Sequence, residues 1–232
     1  MTEPVRPSSL ERRSFLSRLA AGAAMLGLGS SAVRAQAAPG ADWTPTVHAE
    51  DAWLSQMPGQ HRFFFDTTTV AGAGEGLLYA NNYFVANKNG YNLDDDDLAV
   101  VICLRHFSTP FAFNDAMWAK YGAAMAGPIQ ATDPRTKQAP TKNLYLDSSY
   151  GMTLPSGGVT LDALIGRGVH FAVCDMATTF FSGLLAQSTG GSAEAVYKEL
   201  VSNRIANSHM VTAGIVAVNR AQERGYSISH VG

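Results

Sequence analysis

The 232-residue chain has two cysteines, and only Cys174 closes an apolar run, in "GVHFAVCDMATTF" at 168–180. The run reads as a buried strand and the segment after it as a helix. A thiol at such a junction lies near a helix N-terminus, where unpaired N–H groups and the helix dipole favour a thiolate. Asp175, next in the chain, works against that. Two readings follow: a small hydrophobe filling space, or a nucleophilic thiol at the carboxyl edge of a sheet, where open α/β folds bind ligands. Cys103 sits inside "AVVICLRH", with strand still to come, and reads as a core residue.

A second constellation lies in "LRHFSTPFAFNDAMWAKYG". Arg105 and His106 fall at the carboxyl end of another apolar strand. Asn114, Asp115 and Trp118 follow as walls or a lid of a pocket, and Arg105 is suited to an anion such as thiosulfate or a carboxylate. The competing reading packs Phe107, Phe111, Phe113, Met117 and Trp118 between a helix and the sheet, with Asp115 as a cap; His106 is open to either. His170 reads as a core or interface group. His106, Cys174 and His209 are the candidates for a copper or zinc site, without a ligand spacing that supports one. Four consecutive aspartates, Asp94, Asp95, Asp96 and Asp97, alternate in direction if extended, which suits a solvated strand entry better than a metal cluster. No CxxC, HExxH or Walker-type loop is present.

The elements that must position these residues alternate. "HRFFFDT" reads as a strand, "GAGEGLLYANNYFVANKNGY" as a helix, and 98–104 as a strand covered on both faces. "VTLDALIGRG", "ATTFFSGLLAQ" and "SAEAVYKELVSN" read as helices; "SHMVT", "AGIVAVNRAQERGY" and "SISHV" close the chain as strand, helix, strand. Such an order predicts an α/β fold with a mainly parallel sheet and helices on both faces, a three-layer sandwich. A stretch rich in Pro, Thr, Lys and Gln at 122–155 is too long for an idle connection, and reads as a lid, an insertion or an oligomer arm.

"ERRSFLSRL", a short weakly apolar stretch and "AQA" make a signal peptide over 1–37. Arg12 and Arg13, followed by Ser14, Phe15 and Leu16, look like the twin-arginine export address, which implies a periplasmic protein exported already folded. A polar leader at 38–60 would then precede an α/β domain at 61–232. The apolar part of the signal is too short for a membrane span, so no membrane association is expected after cleavage. The formal charge of the whole chain is −2, and the signal carries more bases than acids. No basic run is present to hold a phosphate backbone, which argues against nucleic acid. In the periplasm one Cys103–Cys174 bond is permitted, but two cysteines make no disulfide framework.

"LIGRGVHFAVCDMAT", followed later by "VTAGIVAVNRAQERGYSISHV", resembles the DsrE/DsrF-like family, with Gly168, Val169, Cys174, Gly214, Ile215, Gln222, Gly225 and Tyr226 at the matching places. The resemblance covers roughly 61–231 and is sharpest in the last third. It implies a small parallel α/β sandwich assembled as an oligomer, here expected to be a homo-oligomer. It also implies a sulfur carrier or store in which Cys174 holds sulfane sulfur as a persulfide, taken from a small sulfur-containing ligand or passed to a protein acceptor, a chemistry for which neither a metal nor an organic cofactor is expected. The alternatives are a non-enzymatic module binding a small anion or metal, and an assembly protein that kept the fold.

Overall fold

A computed structural model describes residues 44–232. The signal peptide expected at 1–37 and the start of the leader lie outside the described residues. Within 46–232 five parallel strands form one sheet: β1 His61–Thr67, β2 Leu98–Leu104, β3 His170–Cys174, β4 Ser208–Val211 and β5 Ser227–Val231, in the order β4-β3-β2-β1-β5. The described α-helices are α1 Trp53–Gln56, α2 Val70–Tyr91, α3 Asp115–Ile129, α4 Leu161–Ile165, α5 Asp175–Thr189, α6 Ala193–Ser202 and α7 Gly214–Gln222. The all-parallel sheet with helices on both faces is the expected three-layer α/β architecture.

Strand pleating sorts each apolar run between two cores. Every residue of β2 is buried. Val100, Ile102 and Leu104 face one core with Phe65, Phe171 and Val173, while Ala99, Val101 and Cys103 face the other with Phe64 and Ala172. The first core takes Leu77 and Phe84 from α2, Trp118 from α3, Phe181 and Leu185 from α5, and Leu200 from α6. The second takes Ala217 and Ala221 from α7; small residues on both surfaces let that helix lie close to the sheet. The chirality of parallel connections explains the division. From β1 to β4 the chain steps in one direction, so its crossover helices share a face. The return from β4 to β5 reverses direction and carries α7 to the opposite face.

Two segments depart from the sequence reading. The leader is not merely polar: Leu54 and Met57 are buried in the second core, and the Tyr226 hydroxyl donates to the Leu54 carbonyl at 2.8 Å. The 122–155 stretch begins as helix, since α3 runs to Ile129, and its remainder is fastened to the body. A Cβ on Gly122 would collide with the Pro140 carbonyl, so the chain crosses α3 where only hydrogen stands. Buried Asn143 donates to the carbonyls of Phe111 and Phe113, both at 2.9 Å, and the Tyr145 hydroxyl donates to Val70 O at 2.6 Å. Long loops rarely fold down without such internal partners for their backbone.

Candidate functional site

The crevice opens where the chain diverges. After β3 the chain enters α5 on one face of the sheet; after the adjacent β4 it enters α7 on the other. That is a topological switch point, the usual ligand position in an open parallel sheet. A cavity of about 490 Å³ lies there. Its polar side chains are Arg105, His106 and Cys174; its apolar walls come from Phe107, from Met176, Ala177, Phe180 and Phe181 of α5, and from Ala213 and Ile215 beside Gly214.

Cys174 is the last residue of β3 and the N-cap of α5. It is 6% exposed, yet it lines the cavity, so the residue is sheltered from bulk water while bordering the space a ligand would fill. Asp175 is engaged elsewhere, accepting a hydrogen bond from the Tyr197 hydroxyl of α6 at 2.5 Å, and is not part of the cavity wall. Cys103 is fully enclosed, and burial together with the charge of Asp66 pushes its thiol well up. Both cysteines are free. Of the two, only Cys174 lines the cavity.

Arg105 follows β2 and is held from two directions. Its backbone N–H donates to Ser108 Oγ at 2.9 Å, and that hydroxyl donates to Thr67 O at 2.9 Å, which fixes the turn. Its guanidinium grips Asp66 of β1 in a two-pronged pair, Nε to Oδ1 at 2.6 Å and Nη2 to Oδ2 at 2.8 Å. His230 of β5 lies 3.0 Å from Asp66 Oδ2. Burial pushes the Asp66 carboxyl up, but the hydrogen bonds and charges of Arg105 and His230 outweigh it and hold it below the usual range. The same partnership raises Arg105. Asp66 escaped the sequence reading because it is a lone acid beside the end of a phenylalanine-rich strand; only strand order brings it beside Arg105.

Gly214, noted in the sequence for its position at a helix start, has a second reason. A Cβ there would fall 2.5 Å from Arg105 Cβ, so the arginine stem passes directly over the first turn of α7. His106 follows in the left-handed region at φ 56° and stacks on Phe107 with ring centres 4.0 Å apart. It is exposed at the cavity edge.

The helix starts differ in a way that follows the site. Thr69, Asn114, Thr160 and Ser192 cap α2, α3, α4 and α6 through side-chain oxygens. The caps of α5 and α7, Cys174 and Ala213, supply no such bond. The four-residue α1 also lacks a side-chain cap, but α5 and α7 are the two whose first turns line the cavity, so their N–H groups keep capacity for an acceptor there.

Asn114, Asp115 and Trp118 lie outside the cavity wall. Asn114 accepts from Met117 N–H at 3.3 Å as the α3 cap, Asp115 accepts from Asn143 N–H at 2.8 Å, and fully buried Trp118 donates to Pro110 O at 3.1 Å. They hold the helix and the following segment in place, because α3 starts one 3-10 segment (His106–Ala112) beyond the sheet edge. His209 is also away from the cavity, with its Nε2 2.8 Å from His170 Nδ1 and its ring stacked under Trp53 at 4.0 Å. Among the described residues no three His, Cys, Asp or Glu side chains gather as a metal site. No described helix is long and apolar enough to cross a membrane.

Comparison with known proteins finds no matching family model, no matching curated protein and no matching solved structure.

Proposed function

We propose that the chain is an exported, DsrE-like sulfur carrier or store whose Cys174 accepts sulfane sulfur and holds it as a persulfide, in a homo-oligomer that passes the sulfur to a protein acceptor. The observation that carries this reading is a sheltered thiol lining a cavity at the carboxyl edge of the sheet. Two helix starts without side-chain caps border the same space, and their N–H groups favour the negative charge on a departing group.

The step is a sulfur transfer without net oxidation. The Cys174 thiolate attacks the outer sulfur of a donor R–S–SH. A new S–S bond forms to Cys174 as the donor's S–S bond breaks, and R–S⁻ leaves with the bonding pair. Attack on thiosulfate would expel sulfite in the same manner. The apolar walls then keep water and stray thiols from the product.

The test is the intact mass of the reduced protein after exposure to a sulfane-sulfur donor. Wild type and Cys103→Ala should gain a reductant-labile sulfur mapped to Cys174, and Cys174→Ser should gain none. An unchanged wild-type thiol would overturn the proposal. A second reading, non-covalent binding of a small anion, draws on Arg105 and the two uncapped helix starts. It requires binding to survive in Cys174→Ser and to fall in Arg105→Ala.

A further inference from the structure

We infer that the cavity takes an organic sulfur compound with an apolar body in preference to an inorganic sulfur anion. This rests on Cys174 being the sulfur-accepting thiol. A cavity of about 490 Å³ is in the range that encloses organic ligands, and far exceeds what a five-atom oxyanion fills. Its walls are mostly the carbon surfaces of Phe107, Phe180, Phe181, Met176 and Ile215. A dianion against such walls would lose hydration, and the two uncapped helix starts, each equivalent to only about half a unit charge, return only part of it. The one guanidinium present has two of its nitrogens committed to Asp66, so the pair offers little net charge to draw a dianion in.

The mouth carries the second part of the case. Met176 is 68% exposed, Phe180 56% and Ile215 62%. Met176 and Phe180 are four residues apart on α5 and so share a face, while Ile215 enters from the first turn of α7. Three large apolar side chains from two helices thus surround one opening while still wetted. An apolar body entering past them removes that surface from water, and the unbranched methionine adapts to its shape. The sulfur end of such a ligand then meets Cys174, where R–S–SH gives up its outer sulfur and R–S⁻ leaves.

The experiment compares loading of reduced protein by thiosulfate and by ethyl, butyl and hexyl hydropersulfides, each rate divided by that of a free thiol with the same donor. The expected rate rises up to about fourfold per added methylene until the cavity is filled, with thiosulfate slowest. Phe180→Ser and Ile215→Ser, both at exposed positions, should flatten the dependence on chain length. Calorimetric binding of ethanethiol, butanethiol and hexanethiol to Cys174→Ser supplies a reading independent of sulfur transfer. Loading at equal rates across the series, or fastest from thiosulfate, overturns the inference and leaves the carrier reading standing. No loading, with alkanethiol affinity still rising with chain length, overturns the carrier reading and retains the apolar ligand class. No loading and flat binding overturn both.

Discussion

Arg105 and Asp66, at the carboxyl ends of adjacent strands, meet through two hydrogen bonds of 2.6 and 2.8 Å. Of the two, Arg105 lines the cavity and Asp66 lies behind it. Asp66 is almost wholly enclosed, so its charge depends on Arg105 and His230 for compensation. Asp66→Asn removes one ionic partner and should cost about 2 kcal/mol, read as a lower urea midpoint with unchanged slope. The sign with pH follows from the depressed carboxyl. The pair's contribution is complete above the unfolded carboxylate value near about 4 and is lost as pH falls through the lower folded value, and Asp66→Asn should lack that acid-side loss.

Gly214→Ala places a methyl group 2.5 Å from Arg105 Cβ. The expected cost is about 1–3 kcal/mol, measured by denaturant unfolding. Because the clash involves the arginine's own Cβ, Arg105→Ala should leave much of it in place, whereas Arg105→Gly should remove most of it. A double-mutant cycle reads this coupling directly.

The His170–His209 pair makes a second pH dependence, on the opposite half of the second face. Burial first, then the nearby charges of His170 and Arg204, push His209 down to about 4, and burial lowers His170 as well. Between about pH 6.5 and 4 the unfolded chain therefore binds more protons than the folded one, and stability falls as pH falls through that window. Both residues are only partly buried, so the loss discounts to the order of 1 kcal/mol. Thermal unfolding of wild type and His209→Gln across that window checks it: the mutant's curve should be flatter.

Leu54→Ala tests whether the segment before β1 belongs to the fold. Leu54 is 0% exposed, and truncating a buried leucine costs about 2–5 kcal/mol. Limited proteolysis should then cut first near 53–60. A variant as resistant as wild type would mean that the segment contributes no packing.

His106 holds a left-handed backbone at φ 56°, which a glycine adopts without the Cβ penalty. His106→Gly should raise stability by up to about 1 kcal/mol, measured by thermal unfolding, while removing the only imidazole on the cavity wall among the described residues.

The sheet was legible from sequence because a strand covered on both faces must be apolar at every position, and the short, Val- and Ile-rich run at 98–104 suits that better than a helix. The switch of "GVHFAVC" into a helix likewise marked Cys174 as the residue at the edge. Arg105 and His106 were legible by the same rule, since any residue just past a parallel strand lies at the carboxyl end of the sheet. Asn114, Asp115 and Trp118 lay only a few residues further on, but sequence proximity does not carry across the 3-10 segment that intervenes. Asp66, the contact of Arg105 with Gly214 and the stacking of Trp53 on His209 join residues 39, 109 and 156 positions apart in the numbering. Local pattern determines whether a segment is strand or helix and which residues end it. Strand order, which depends on crossover handedness and packing across the whole chain, decided which ends meet and what surrounds the thiol.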